Sequence, residues 1–385
     1  MKILIISSNI GRTAPGIVFE RIILGMSSKN EVDILTSDYD PSVELSKVSN
    51  KFVCKKMYIH PRLTRLLQLL FGVNLFDCIW ALKSIRSINK TKFKEYDLVF
   101  CLVSLGHYSS LISGVYCCEK YKKKLVVYSV DALPSPVGWL DYGLYYKSLQ
   151  KMISKYLSKA DAFFSSNHQM LEYQLKQFVN KKNLIKGVIY TPSLGEFQEL
   201  SRIDQDINCF LYTGGIYGLR KADYLLKAFE KIVDIYPNSK LVFVGSKLPK
   251  KVLDNLKLET LQKIELVPFT IDLSGYYKAA TALIDIDADT ENDVFLSSKI
   301  TNYLLINRFI ISETGFNSPS SNLFKNINSI IQCDHDSKQI FQAMKFAIKS
   351  EKTIDFNDRK DVIELFKLEN IINQLNRDLL FLIKS

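Results

Sequence analysis

The chain of 385 residues exceeds what one hydrophobic core ordinarily serves, since cores stop growing near ~250–300 residues, so two domains are expected. With 47% hydrophobic and 24% charged residues, and only 16 Gly and 10 Pro, the composition excludes disordered, collagenous and linker-like classes. The 51 Lys and Arg against 40 Asp and Glu leave a formal +11, which favours anionic partners, whether a nucleotide, a nucleic acid or a lipid surface.

In chain order, short β-branched and aromatic runs alternate with longer stretches of helical apolar spacing, the pattern of parallel sheets covered by helices. Residues 2–7 read as a buried first strand, because the apolar run from Ile3 to Ile6 is shorter than the ~7–15 residues of a secretion signal. Strands follow at 52–58, 97–103, 124–130 and 161–166, preceded by one at 32–36, with crossover helices at 111–120 and 145–157. The stretch 66–76 is apolar and uncharged but is interrupted by Gln68, Gly72 and Asn74, well below the ~20 residues that span a bilayer, so no transmembrane helix is expected. The seven cysteines include no CxxC pair and no zinc-like Cys/His spacing; they read as reduced core thiols of a cytoplasmic protein.

The rhythm changes at 181–200, where Thr191-Pro192-Ser193-Leu194-Gly195 punctuates the pattern. The alternation then begins afresh with strands at 209–213, 241–244, 264–267, 282–286, 309–312 and 329–332. This places an N-terminal domain at 1–195 and a C-terminal domain at 196–385, with a helical segment from about 360 to 385 able to pack back on the first domain. Doubly wound sheets bind ligands at the carboxyl ends of their strands, so two in series are expected to face one another across a binding cleft.

Two segments carry the chemistry. In 209–221 a buried strand runs into Gly214 and Gly215, followed by Arg220 and Lys221 at the opening of a helix expected from about Leu219. Amides at a helix start together with a guanidinium form a diphosphate cradle; a tight βα turn with solvent-facing cations is the other reading. In 283–311 a strand ends in carboxylates, a polar loop carries Glu291 and Asp293, and Ser297-Ser298-Lys299 opens a helix that holds Asn302.

This pair of segments resembles the nucleotide-sugar site of the GT-B glycosyltransferases, especially family 4 (group 1), whose Ser-Lys stretch opens the helix beneath the donor. The resemblance continues in order through 241–245, then 264–269 with Phe269, then 276–280 and 315–318. It implies an α/β fold of GT-B architecture, with two Rossmann-like domains across a cleft. The family's first glycine turn has an Arg directly after the Gly and a Lys five residues on; here Gly215 and Arg220 stand at those places. The family's paired glutamates fall on Val294 and Asn302, leaving Glu291 or Asp293 to meet the sugar.

The loop after the first strand, 8–16, holds Gly11 and Gly16 where a GT-B enzyme brings backbone toward donor and acceptor. It lacks the GxGxxG of a nicotinamide enzyme. Asp131 ends the fifth strand where relatives carry a His or Asp near the reacting sugar; it reads equally as a carboxylate capping the Pro134 turn. His107 also lies at a strand's end, with a surface or core role favoured. Between 55 and 94, nine cations bracket Leu66, Leu70, Phe71, Ile79, Trp80 and other apolar residues, as an interfacial membrane segment or as a helix pair buried on the sheet. No nucleic-acid motif accompanies the charge.

The resemblance therefore implies a cytoplasmic glycosyltransferase, peripheral at the inner face of the plasma membrane. It would move a sugar from a UDP- or GDP-sugar to a glycan or lipid-linked acceptor in surface polysaccharide assembly, with retention. Catalysis falls to Asp131, Arg220 and Lys299, and donor binding to Gly11, Gly16, Gly214, Gly215, Phe269, Glu291, Asp293, Ser298 and Asn302. No metal and no cofactor are implied, the nucleotide sugar being substrate. The missing glutamates leave a second reading, a silent binding subunit of the same shape, and a sugar epimerase is a third.

Overall fold

The computed structural model describes the chain except residues 58–59, 140–142, 178–182, 205 and 351–353. Contacts divide it into two units, 1–192 with 366–385, and 193–365. The sequence places the division three residues later; the contacts also return the last twenty residues to the first unit.

The first unit begins with β1 (Lys2–Gly11), α1 (Ala14–Lys29), β2 (Glu31–Asp40) and β3 (Asn50–Val53). Next come α2 (Pro61–Phe71), α3 (Leu75–Arg86), α4 (Lys90–Glu95), β4 (Leu98–Val103) and α5 (Ser109–Tyr121). It continues with β5 (Lys124–Ser129), α6 (Tyr145–Leu157), β6 (Ala162–Ser165), α7 (His168–Gln177) and β7 (Ile185–Val188). Its seven strands are parallel in the order β3-β2-β1-β4-β5-β6-β7. Both faces are buried, so the strands read as continuous apolar runs. β7 escapes the sequence pattern because Gly187 interrupts it; the glycine lets the ring of Phe164 lie where a Cβ would come within 3.1 Å. The expected strand at 52–58 ends at Val53, and its last residue lies outside the described ones.

The second unit runs β8 (Asn208–Thr213), α8 (Asp223–Ile235), β9 (Ser239–Val244), α9 (Lys250–Leu253), α10 (Leu258–Leu261) and β10 (Ile264–Val267). It continues through α11 (Ser274–Ala279), β11 (Ala282–Ile286), α12 (Ile300–Tyr303), β12 (Phe309–Glu313) and α13 (Pro319–Leu323). β13 (Ile330–Cys333), α14 (Ser337–Lys349) and α15 (Phe356–Phe366) complete it. The sheet is parallel, β10-β9-β8-β11-β12-β13, so strand order reverses between β8 and β11, the position where such sheets bind ligands.

The final helix, α16 (Leu368–Lys384), follows an extended residue, Lys367, and lies on α1 of the first unit. Ile371, Ile372, Leu375 and Leu379 join Ile22, Ile23 and Met26 in one core. Gly25 makes the crossing close, for a Cβ there would stand 2.4 Å from Cγ1 of Ile372. All seven cysteines are free, and only Cys78 is less than buried.

Candidate active site

The second unit gathers its chemistry at the carboxyl ends of β8 and β11. Gly214 has φ +90°, a left-handed turn that a side chain would strain, and its N–H is fixed by the carbonyl of Val244 (2.8 Å). Gly215 is exposed and only the edge of Tyr217 would meet a Cβ there, at 3.6 Å, so the backbone is open to approach by another molecule. Gly218, at φ +66°, turns the chain again, and the N–H of Arg220 bonds the carbonyl of Tyr217 (3.3 Å). These turns delay α8 to Asp223, four residues beyond the expected start near Leu219. Arg220 therefore stands in the loop before the helix, not at its head.

Arg220 is 8% exposed. Burial alone would lower its pKa, but Tyr217, Asp287, Tyr212 and Asp285 outweigh it and hold the guanidinium charged. Lys299, the residue before α12, donates to the Tyr212 hydroxyl (3.1 Å), Ser297 Oγ (3.2 Å) and Asp285 Oδ1 (3.4 Å), and sits 4.4 Å from the Tyr212 ring centre. An ammonium has three protons, and these partners account for all three. Its protons are thus engaged within the protein, while its ammonium charge, held by Tyr212 and Asp285, stays beside the Gly214 turn. The α12 segment is pinned from below, where the Tyr303 hydroxyl accepts from Thr213 N–H (2.8 Å).

Asp285 and Asp287 are both fully buried, and Asp293 is 1% exposed. Asp293 accepts from the N–H groups of Phe295 (3.0 Å) and Ala288 (3.4 Å), so it folds the 288–295 loop on itself. That corrects its assignment to a sugar contact, since its oxygens are turned inward. Glu291 and Ser298 are exposed, Asn302 is half-buried, and Val294 is buried. Phe269 is exposed beside Gly245, whose φ of +81° and missing Cβ let the ring approach.

Beyond Asp287 lies a second buried pair. His335 places Nδ1 2.8 Å from Glu313 Oε1 and Nε2 3.1 Å from the carbonyl of Ala288. A carbonyl only accepts, so Nε2 carries a proton. Burial pushes the imidazole down, but Glu313 outweighs it and the pKa is raised.

Sequence reasoning reaches Arg220, Lys299, the glycine turn and the carboxylates at the strand's end, but not the pairing between them. The signal present was the Asp285-Ile286-Asp287 alternation: on a strand, residues two apart share a face, so both carboxylates leave the sheet on the side opposite Ile284 and Ile286. Among the described residues no three His, Cys, Asp or Glu side chains are arranged to hold a metal ion.

The remaining expected residues lie in the first unit. Gly11, at φ +82°, has the carbonyl of Asp40 where a Cβ would stand, and Gly16 has the carbonyl of Gly11, so close packing already requires both glycines. Thr13 caps α1 by accepting from Gly16 N–H (3.1 Å). Asp131 accepts from Leu105 N–H (2.9 Å), bracing the loop after β4, and burial raises its pKa. It does not cap the Pro134 turn through that oxygen. His107 is exposed.

No protein-family profile matches the chain, and no curated protein matches it in sequence. Solved structures do match in fold. The Anabaena HepE protein, crystallised in complex with UDP-glucose, superposes with a TM-score of 0.69 at 13% or lower identity, here 12%, over 98% of this chain and 99% of that one. The lipopolysaccharide outer core galactosyltransferase WaaB superposes at 0.61, with 14% identity over 99% of both chains. An E. coli structure described as trehalose-6-phosphate bound with UDP-2-fluoro glucose superposes at 0.65, with 9% identity over 100% of this chain and 99% of that one. Two parallel sheets, each with its order reversed beside a central strand, and these full-length superpositions make this chain's fold that of the GT-B glycosyltransferases.

Proposed function

We propose that the chain is a glycosyltransferase that takes a sugar from a UDP- or GDP-sugar and passes it to a hydroxyl of a lipid-linked glycan in surface polysaccharide assembly. The observation that carries the reading is Arg220, a buried guanidinium in the loop that follows the open Gly214–Gly215 turn at the reversal point of the second sheet. Donors held rigidly where charge develops on a departing diphosphate lower the barrier, and Arg220 with the Gly215 amide supplies them without a metal ion. HepE, with the same fold, was crystallised with UDP-glucose. Retention follows the family resemblance, with the leaving phosphate accepting the acceptor's proton and Asp131 orienting acceptor hydroxyls.

Titration calorimetry with UDP and with GDP tests this reading. One of them binds, and Arg220→Ala weakens it by at least ~10-fold with the circular dichroism unchanged. If neither nucleotide binds, or the variant binds as tightly, the donor site is misplaced. The absence of the glutamate pair, Val294 and Asn302 standing there, favours one alternative: a subunit that binds nucleotide sugar without turnover. Consumption of a nucleotide sugar in the presence of a membrane extract separates the two.

The lipid-linked acceptor is supported by α2, which is folded inside out. Its buried side chain is Gln68, hydrogen-bonded by the Tyr145 hydroxyl (2.8 Å), while Leu66, Leu70 and Phe71 are 53%, 68% and 60% exposed. Arg62 and Arg65 on α2, and Lys83 and Arg86 on α3, are exposed as well. α3 behaves differently: Trp80 turns inward to donate to the Cys54 carbonyl (2.6 Å), while Ile79 and Leu82 stay exposed. No single helix among the described residues is long and apolar enough to cross a membrane; α2 and α3, bent 91° at their break, pass only as a pair. Apolar side chains with a cationic rim suit anionic headgroups at the cytoplasmic face. Flotation with anionic liposomes should be lost when Leu66, Leu70 and Phe71 become Ser; unchanged flotation of the folded variant would reject this surface.

A further inference from the structure

We infer that binding of the nucleotide diphosphate is coupled to uptake of a proton, and that Asp287 is the group that receives it. The inference rests on the donor-site reading above and concerns how that site accommodates charge.

The site sets three buried carboxylates, Asp285, Asp287 and Asp293, against the buried Arg220 and the part-buried Lys299. Lys299 spends its protons on Asp285, Tyr212 and Ser297. Asp285 Oδ2, fully enclosed, has no hydrogen-bond partner among the described residues. The charge of Arg220 favours the ionised forms of both Asp287 and Asp293. A diphosphate reaching Arg220 brings at least two more negative charges and draws the guanidinium's field away from Asp287. Carboxylates that share a buried site with one another do not all remain ionised when their counter-ion is withdrawn.

Asp287 is built to take the proton. Every element packed on it contributes to its charge state: Asp285 on its own strand and Asp293 in the following loop repel its ionised form, while Arg220 before α8 and the Ser320 hydroxyl of α13 favour it. Burial is the largest influence, and together these push its pKa up to about 7 before any ligand arrives. Its backbone N–H is held by the carbonyl of Glu313 (2.9 Å), next to the His335–Glu313 pair, which fixes the main chain that carries the carboxyl. Thr314 Oγ1 lies 3.0 Å from Asp287 Oδ2 and bonds onward to Ser318 Oγ. Hydroxyls donate or accept, so this chain can reverse: ionised Asp287 accepts from Thr314, and protonated Asp287 donates to it. The proton comes from solvent, and no bond of the donor changes.

The test is calorimetric titration with UDP at pH 8 in buffers of differing ionisation enthalpy, which reads protons exchanged per nucleotide bound. At that pH the terminal phosphate, with its second pKa near ~6, is already ionised and contributes little. The wild type should take up about 0.5–1 proton per UDP, and its affinity should fall by up to ~10-fold per pH unit above 7. Asp287→Asn, which resembles the protonated carboxyl, should bind UDP with little uptake and a flat pH dependence. Binding by the wild type without proton exchange overturns the inference and leaves the donor site standing. Uptake that persists in Asp287→Asn overturns Asp287 as receiver. Failure of the wild type to bind UDP or GDP refutes the donor-site reading and this inference with it.

Discussion

Arg359 is the residue on which the architecture beneath the site most depends. It is fully buried in α15, and its Nε donates to Ser329 Oγ (2.7 Å). Nη1 reaches the carbonyls of Tyr303 (3.2 Å) and Ile306 (2.8 Å), and Nη2 those of Ser329 (3.3 Å) and Arg308. One guanidinium thus ties the end of α12 to the starts of β12 and β13. Burial pushes its pKa down to about 9, which leaves it charged at neutral pH. Arg359→Met keeps the stem and removes five hydrogen bonds, although the carbonyls of Tyr303, Ile306 and Ser329 keep backbone donors in the N–H groups of Ile306, Arg308 and Ile310. At about 0.5 kcal/mol for each bond, the low end of the usual range because those carbonyls stay partnered and a desolvated charge is removed, the loss is about 2–3 kcal/mol. Against a total of ~5–15 kcal/mol, that is a large share of the second unit's stability. Both tryptophans, Trp80 and Trp139, lie in the first unit, so fluorescence follows that unit while circular dichroism follows both. In urea, the second unit's transition should move down by about 1 M, with the fluorescence midpoint unmoved. A loss under 1 kcal/mol, or a fluorescence midpoint that moves equally, would refute the account.

Lys299→Met should destabilise the protein by about 3–5 kcal/mol because it leaves Asp285 buried and unpaired, and the double variant with Asp285→Asn should recover more than half of that in a denaturant titration. Asp287 has a folded pKa raised from 3.8 to about 7, so the stability it permits is fully present below ~4 and falls as pH rises to about 7. Between pH 5.5 and 8.5 the wild type should lose about 2 kcal/mol that Asp287→Asn does not lose, measured by urea unfolding at each pH. Gly25→Val should cost about 1–3 kcal/mol by forcing α1 from α16, seen as faster proteolytic removal of residues after Phe366; an unchanged cleavage rate would mean that the crossing is not close in solution.

Much of the fold was legible because parallel strands buried on both faces are continuous apolar runs, as in Leu98–Val103 and Phe309–Glu313. Where local chemistry departed from that rule, reading stopped: Gly187 hid β7, and the Gly218 turn hid the true start of α8. Within the site, Arg220 and the glycines stood out because few residue types suit such a turn. The carboxylates at the strand's end were visible too, but not their partners, because Lys299 reaches Asp285 and the charge of Arg220 acts on Asp287 only once β11 is laid beside β8, a pairing that no local pattern encodes. Arg359 was invisible for a similar reason. It lies in a polar stretch, Asn357 to Lys360, that reads as a solvated helix start, and only the carbonyls converging from three distant segments make it internal.

The distribution of charge changes what the +11 surplus means. The proposed donor cluster is not basic: three buried carboxylates face two cations there. Residues 55–94 hold nine cations and a single carboxylate, Asp77, which is buried and paired with Lys56, so eight of the eleven net charges come from this segment. The surplus that seemed to suit a nucleotide therefore belongs chiefly to the surface around α2, α3 and α4. Exposed charges are screened over ~8 Å at physiological salt, whereas buried ones are screened much less. Raising salt from 50 to 300 mM should accordingly weaken association with anionic liposomes by at least ~10-fold while changing UDP affinity by less than ~3-fold. The reverse ordering, salt-sensitive UDP binding and salt-insensitive liposome binding, would show that the basic surplus serves the nucleotide and that α2 meets lipid, if at all, through its leucines alone.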